Sequence, residues 1–203
     1  MKIITISREF GSGGREVGKR LADALGFAYY DREIITAVAQ KSSFDEEYVE
    51  KTLERGMPRT FSISFGRTFS FPDVAQQNYT KMLVAQQQFI SDIAKKGEDF
   101  VIVGRAADVI LQEYNPLNLF VYAEMSSKIK RCRERAKDGE NMTDREYSRK
   151  IKQVDLGRAV NRQLLADGGW GDKESYHLCI NTTDAEIKKL IDPIAAFAKA
   201  WFE

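Results

Sequence analysis

The sequence predicts an α/β fold in which a parallel sheet is covered on both faces by helices. Short apolar runs with β-branched residues alternate along the chain with longer amphipathic stretches, and this alternation is typical of such a sheet. A glycine-rich turn at residues 11–14 follows the first apolar run and precedes the first amphipathic stretch, at the place where open parallel sheets bind ligands. The 203 residues suffice for a single domain, residues 1–203, whose core needs no disulfides.

The apolar spacing predicts the elements of the first part of the chain. Residues 2–6 have the composition of a buried strand. Val17 and Leu21 share one face of a predicted helix at 15–25, which Gly26 ends. The elements that follow are a short strand at 27–30 and helices at 32–40 and 45–55.

The second part of the chain continues the alternation. A long helix is predicted at 74–96, and a basic helix follows the strand at 117–122. The other predicted elements are strands at 100–103 and 176–180, a helix at 143–166 and a closing helix from 185 onwards. The sequence shows no internal repeat.

Residues 56–73 have neither a helical nor a strand period, although they are rich in aromatic residues. Two interpretations stay open: a loop or hairpin that covers substrate, and a loop that folds onto the core or onto a second subunit. Exposure of this segment in the monomer would favour a homodimer. Its phenylalanines are Phe61, Phe65, Phe69 and Phe71.

Composition excludes several classes of function. The 31 basic and 30 acidic residues nearly cancel, so nucleic acid and anionic membrane surfaces are not expected partners. No apolar run approaches membrane-spanning length and no signal peptide is visible, which together predict a cytoplasmic protein. Cys132 and Cys179 are expected to be free thiols, and the single histidine, His177, excludes most histidine-based metal sites and triads.

The glycine-rich turn, Gly11, Ser12, Gly13 and Gly14, has the composition of a phosphate-binding loop. Glycine reaches positive φ angles without strain, so the backbone can wrap closely around an anion. The free N–H groups and the dipole of the following helix then favour phosphate. A tight loop with no ligand is the alternative.

The turn departs from the standard P-loop pattern GxxxxGK[ST]. Aligned on the glycines, Arg8 stands at the first glycine, Gly14 at the lysine and Arg15 at the hydroxyl residue. With one extra residue allowed, Arg15 takes the lysine position and Glu16 the hydroxyl position. An arginine can supply the phosphate charge, but no Ser or Thr ligand for Mg²⁺ follows it.

Three segments, residues 4–15, 29–35 and 101–108, resemble the cytidylate kinase-like family of P-loop proteins. The resemblance implies a three-layer P-loop NTPase fold of the nucleoside-monophosphate kinase type, with a five-stranded parallel sheet. It also implies an acceptor-binding insert at about 31–98 and a lid at about 126–165. The implied reaction transfers the γ-phosphoryl group of ATP, with Mg²⁺, to a nucleoside monophosphate, with CMP or dCMP as the first candidate.

The resemblance implies that several charged residues bind the acceptor. Gly104-Arg105 resembles the Gly-Arg-Asp segment of cytidylate kinases, whose aspartate falls two residues before Asp108. Asp155 and Arg158 match their Asp-x-x-Arg-Ala-Val segment, and Arg162 shares the helical face of Arg158. Ordinary ion pairs are the alternative for these residues. Asp31, at the start of the acceptor helix, could contact the acceptor or cap the helix.

The basic helix after residue 122 resembles the arginine-bearing lid of these kinases. Arg131 and Arg135 are four residues apart and can share one face, whereas a solvated basic helix is the alternative. The charges expected to act on the transferred phosphoryl group are therefore those of Arg15, Arg131, Arg135 and Arg158.

These observations lead to one principal hypothesis, an ATP-dependent kinase of a small phosphorylated acceptor. The alternative is a catalytically weak nucleotide-binding regulatory protein, which the atypical turn favours. A nucleic-acid-binding module is disfavoured, because the charge is balanced and no binding motif is present.

Overall fold

The strand that carries the glycine-rich turn lies at the centre of a five-stranded sheet. The structure is a computed structural model that describes residues 1–56, 74–136, 142–166 and 168–203. Every pair of neighbouring strands is parallel, and the order across the sheet is β2-β3-β1-β4-β5. The strands are β1 (Ile3–Arg8), β2 (Ala28–Tyr30), β3 (Phe100–Val103), β4 (Leu117–Tyr122) and β5 (Leu178–Asn181).

Helices connect the strands, and local sequence signals define several of their ends. Gly26 ends the first helix with a φ of 71°, and Thr143 and Glu146 form a capping box at the start of the seventh. The described helices are α1 (Gly14–Leu25), α2 (Arg32–Ser42), α3 (Glu46–Arg55), α4 (Val74–Ala94), α5 (Ala107–Ile110), α6 (Met125–Glu134), α7 (Asp144–Gln163) and α8 (Ile187–Phe202). None of them is long and apolar enough to cross a membrane.

The sheet separates two apolar cores, as expected for three layers. Ile4 and Ile6 of β1 face α1 and α8, whereas Ile3 and the β3 residues Phe100 and Ile102 face α2, α3 and α4. Successive side chains of a strand point to opposite faces, so both faces of the central strands are buried. The predicted α/β architecture is therefore confirmed.

Tertiary contacts move some predicted boundaries. Strand β1 continues to Arg8 because Ser7 and Arg8 pair with residues of β4, although both are polar. Strand β5 begins at Leu178 rather than 176, and α8 begins at Ile187 because residues 182–185 form a turn in which Asp184 has a φ of 50°. The phenylalanines at 61–71 lie outside the described residues, so the predictions made for them stay open.

Candidate active site

The loop between β1 and α1 has the backbone that anion binding requires. Gly11 and Gly13 have φ angles of 78° and 82°, in the left-handed region that favours glycine. Gly13 is the residue before α1 and carries no side chain that could cap the helix. The first N–H groups of α1 are therefore available to a phosphate.

Four hydrogen bonds hold this loop, three of them to other parts of the chain. The Phe10 N–H donates to Asp155 Oδ1 at 2.7 Å, and the Glu9 N–H donates to the Val121 carbonyl at 3.0 Å. Ser12 Oγ donates to the Glu9 carbonyl at 2.8 Å. Thr182 Oγ1 lies 2.7 Å from the Ser12 carbonyl, to which it donates. The loop is thus fixed before any ligand arrives.

The start of α1 selects one of the two alignments with the P-loop pattern. Because Gly13 directly precedes the helix, it corresponds to the second glycine, and Gly14 takes the lysine position without an insertion. Arg15 takes the hydroxyl position. Its Nε lies 2.9 Å from Asp31 Oδ2 and its Nη2 lies 3.7 Å from Glu50 Oε1, so Arg15 is paired with acidic side chains.

Two adjacent pockets open at this edge of the sheet, and Arg8 and Arg158 line both. The donor-side pocket, a cavity of about 230 Å³, lies against the loop and is lined by Gly11, Gly13, Arg15, Arg131 and Arg135 among others. The acceptor-side pocket, a cavity of about 30 Å³, is lined by Glu54, Gln86, Arg105, Arg162 and Trp170 among others. The names follow the donor and acceptor sites that the sequence resemblance implies.

The wall between the pockets is positively charged. Arg158 Nη1 donates to the Arg8 carbonyl at 2.9 Å and lies 3.5 Å from Asp155 Oδ1. The Arg8 guanidinium is buried, and its Nη2 lies 3.8 Å from Asp31 Oδ1. Arg8 is not among the site residues that the sequence predicts. The available signal was the arginine at the first glycine of the P-loop pattern.

Burial and mutual repulsion destabilise the charged forms of these arginines. Burial, then the charge of Arg158, lowers the pKa of Arg8 well below its ordinary value. Burial also lowers the pKa of Arg158, and it lowers the pKa of Arg105 to about 10, where Arg158 and Arg15 contribute repulsion. A bound phosphate would offset both effects, since an opposite charge favours the ionised form.

Arg105 is held in a strained backbone at the end of β3. Gly104, Arg105 and Ala106 all have positive φ angles, of 74°, 62° and 51°. Gln86 Nε2 donates to the Arg105 carbonyl at 3.2 Å. The Arg105 Nε is buried without a hydrogen-bond partner among the described residues. The surface ion pair that was the alternative for Arg105 is not found there.

Asp108 and Arg162, two predicted acceptor residues, pair with each other. Arg162 Nε donates to Asp108 Oδ2 at 2.7 Å, and its Nη1 donates to the Gly168 carbonyl at 2.9 Å. Both side chains are buried. Arg162 still lines the acceptor-side pocket, but its charge is compensated.

The basic helix α6 is not simply a solvated face. Arg131 Nη1 donates to Thr182 Oγ1 at 3.2 Å, and its Nη2 donates to the Thr182 carbonyl. Lys128 is buried, with Nζ 2.9 Å from Glu9 Oε2. Arg135 pairs with Glu16 at 3.0 Å. These contacts connect α6 to the loop, to α1 and to the residue after β5.

Asp31 occupies the N-cap position of α2, but its carboxylate makes no capping hydrogen bond. It is buried beside Arg8 and Arg15, and its Oδ1 has no hydrogen-bond partner within the described part of the chain. The capping role that the sequence left open is therefore not observed. Asp31 instead compensates two of the arginines at the site.

Solved structures share this fold. An uncharacterized protein from Eubacterium ventriosum is 26% identical, with a TM-score of 0.71 and coverage of 98% of this chain and 99% of that chain. A shikimate kinase from Bacteroides thetaiotaomicron is 14% identical, with a TM-score of 0.59 and coverage of 98% of both chains. A gluconokinase from Sinorhizobium meliloti is 15% identical, with a TM-score of 0.53 and coverage of 98% and 93%.

A family model gives the remaining comparison. The model described as the cytidylate kinase-like family matches residues 3–184. No curated protein matches the chain. The matched range includes the loop, both pockets and the basic helix.

Proposed function

The chain belongs to the cytidylate kinase-like family, and we propose that it transfers the γ-phosphoryl group of ATP to a small phosphorylated acceptor. A nucleoside monophosphate such as CMP or dCMP is the first candidate. One observation carries the proposal: two pockets at the glycine loop share a wall formed by Arg8 and Arg158. Phosphoryl transfer to a phosphate acceptor brings two anionic substrates side by side, so their charge must be compensated.

The donor-side pocket suits the phosphates of ATP. The loop supplies backbone N–H groups at the start of α1, and Arg131 and Arg135 line the same pocket from α6. A lid at about 126–165, which contains α6, would cover the donor. In the structure Arg131 already contacts Thr182, so closure would exchange these hydrogen bonds for bonds to phosphate oxygens.

The acceptor-side pocket has the positive charge that a phosphate monoester requires. Arg105 and Arg158 line it, and the Arg105 Nε is buried with no hydrogen-bond partner among the described residues, so it is free to bind an oxygen. The region at about 31–98 would enclose the rest of the acceptor. Gln86 and Glu54, from this region, line the same pocket.

The step needs no general base. An ionised oxygen of the acceptor phosphate forms a bond to the γ-phosphorus, and the bond from that phosphorus to the β–γ bridging oxygen breaks. The bridging oxygen leaves with the bonding electron pair, so the products are ADP and the acceptor with one more phosphate. Arginines at both pockets hold the reacting oxygens and compensate the charge.

Mg²⁺ fits this site mainly through the substrate. The described residues hold no cluster of three or more His, Cys, Asp or Glu that could bind a metal by themselves. Mg²⁺ commonly keeps several waters and binds through phosphates and one or two carboxylates. Asp31 is buried between Arg8 and Arg15 and lines neither pocket, so the ion would be held by the donor phosphates and water, where it would supply positive charge.

The homodimer and the cytoplasmic location stay predictions from the sequence. The segment on which the dimer prediction rests, residues 57–73, lies outside the described residues.

A coupled ADP-release assay tests the proposal. Purified protein receives ATP, Mg²⁺ and a panel of nucleoside monophosphates, with shikimate and gluconate as hydroxyl acceptors. We expect turnover with a monophosphate, an acceptor KM raised at least about tenfold in Arg105→Ala, and an unchanged KM for ATP. Arg149→Ala, which removes an exposed arginine outside both pockets, is the matched control.

Two results would overturn the proposal. Turnover with shikimate or gluconate alone would show an alcohol acceptor. Calorimetric binding of ATP without turnover for any acceptor would favour the alternative function, a nucleotide-binding regulatory protein. That alternative has its own support, since the loop lacks the lysine and hydroxyl of the standard pattern.

A further inference from the structure

We propose that Arg8 replaces the lysine of the P-loop, with its side chain folded across Gly14 and its guanidinium on the phosphoryl group that is transferred. The inference rests on the proposed function and adds a binding residue to it. Residue 8 holds a glycine in the standard pattern, and residue 14 holds the lysine. This chain has the charge at the opposite end of the same loop.

The base of the Arg8 side chain occupies the space that a side chain at residue 14 would need. A Cβ at Gly14 would lie 2.5 Å from Arg8 Cβ and 2.8 Å from Arg8 Cγ. Non-bonded carbon atoms essentially never approach each other this closely. Residues 8 and 14 therefore cannot both carry side chains in this backbone, and the arginine excludes the lysine.

The tip of the Arg8 side chain lies against a second glycine. A Cβ at Gly104 would lie 1.5 Å from Arg8 Nη1 and 2.6 Å from Arg8 Cζ. Gly104 follows β3, the neighbour of β1 in the sheet. The two glycines leave a channel for Arg8 between the ends of the central strands, and this channel leads to the wall shared by both pockets.

The guanidinium has charge and donors left for a ligand. Within the described ranges its one acidic neighbour at ion-pair distance is Asp31, at 3.8 Å, which is longer than a hydrogen bond. Arg158 and Arg105 surround it with like charge. A planar guanidinium can donate two parallel hydrogen bonds to phosphate oxygens, which suits a group that lies between donor and acceptor.

Three other cations near the loop contact protein groups. Arg15 lies 2.9 Å from Asp31, and Lys128 Nζ lies 2.9 Å from Glu9 Oε2. Arg131 is bonded to Thr182. Arg8 is the cation that reaches both pockets together with Arg158, whose Nη1 is bonded to the Arg8 carbonyl.

Moving the positive charge from residue 8 to residue 14 tests the proposal. Arg8→Gly should lower kcat by about 100-fold or more, as loss of a donor to developing charge does elsewhere. Arg8→Gly combined with Gly14→Lys rebuilds GxxxxGK and should recover at least about tenfold of that loss. Gly14→Lys alone places two side chains in one space and should not exceed the activity of Arg8→Gly.

A purely structural role for Arg8 predicts a different result. Then kcat would follow the fraction of folded protein, measured by thermal unfolding, and Arg8→Lys would be as active as wild type. Equal kcat in folded Arg8→Gly and wild type overturns the proposal, and so does a double variant no more active than Arg8→Gly. Arg149→Ala serves as the control for loss of an arginine.

A second readout separates this inference from the proposed function. If the wild type shows no turnover with any acceptor, ATP and ADP binding is compared by calorimetry. Arg8→Gly should weaken ATP binding at least about tenfold more than ADP binding, because only ATP carries the γ-phosphate that the guanidinium contacts. Equal weakening, or none, overturns the role of Arg8 even in a protein that only binds nucleotide.

Discussion

Asp108 and Arg162, which are 54 residues apart in the sequence, form an ion pair of 2.7 Å in which the side chains are 2% and 8% exposed. The pair connects α5, which follows β3, to α7. Helix α7 also carries Arg158, so this contact helps to position Arg158 and Arg162 at the pockets.

Removal of one partner should therefore lower the stability of the protein. Asp108→Ala leaves the Arg162 charge buried and unpaired, and we expect a loss of about 3–5 kcal/mol in the free energy of unfolding, measured with urea. Asp23→Ala, which breaks the exposed pair of Lys19 and Asp23, is the control and should cost about 1 kcal/mol or less. Similar losses in the two variants would contradict the interpretation.

The close contact at Gly11 predicts a specific cost for a methyl group. Gly11 and Gly26 have φ angles of 78° and 71°, so alanine is strained at both. A Cβ at Gly11 would also lie 2.9 Å from the Lys128 carbonyl, whereas nothing lies within 4 Å at Gly26. Gly26→Ala should cost about 1 kcal/mol and Gly11→Ala at least about 2, by urea unfolding.

The same pair of variants separates stability from binding. Gly11→Ala should also weaken ATP binding by at least about tenfold, since the loop must shift to admit the methyl group. Gly26→Ala lies at the other end of α1 and should bind ATP as the wild type does. Unchanged ATP binding in folded Gly11→Ala would count against the loop as the phosphate site.

Asp155 should make stability depend on pH. Burial raises its pKa to about 6 from an ordinary 3.8, although the Phe10 hydrogen bond and Arg158 act in the opposite direction. The folded state therefore holds this proton more tightly than the unfolded state. Its contribution to stability is complete below about pH 4 and is lost as the pH rises through about 6.

Asp155→Asn removes that titration. Between pH 4 and pH 6 the unfolding free energy of the wild type should fall relative to that of the variant, by at most about 3 kcal/mol. Urea unfolding at several pH values measures the difference. Parallel curves for the two proteins across this range would rule out a raised pKa.

Thr182 connects three parts of the site through one hydroxyl group. Its Oγ1 lies 2.7 Å from the Ser12 carbonyl and accepts a hydrogen bond from Arg131 at 3.2 Å. Thr182→Val keeps the shape but leaves the buried Ser12 carbonyl without this donor, so we expect a loss of about 1–3 kcal/mol. Thr182→Ser, which retains the hydroxyl, should lose less than half of that amount in urea unfolding.

The order of strands and helices and the place of the ligand loop could be predicted from local patterns. Alternating apolar runs and the glycines at 11–14 are sufficient for this, because each signal lies within a few residues. The end of β1 could not be predicted. Ser7 and Arg8 join β1 only because β4 offers backbone partners, which no local propensity reveals.

Several arginines that line the two pockets could be predicted from the sequence, but the pairing of the charged residues could not. The sequence identified Asp108 and Arg162 separately as acceptor residues, whereas the fold joins them. Arg8 was not identified, because its role depends on the absence of side chains at Gly14 and at Gly104, which lies on another strand end. The space that these two glycines leave for Arg8 is visible only in the folded structure.

The hydrogen bond between Thr182 and the Ser12 carbonyl spans 170 residues. Contacts between residues so far apart in the sequence close a long segment of chain, and such contacts slow folding. A refolding intermediate with β1 to β4 in place but not β5 would contain the loop's glycines without the hydroxyl that anchors Ser12. If the protein binds nucleotide as proposed, the recovery of that binding during refolding would report when β5 docks against β4.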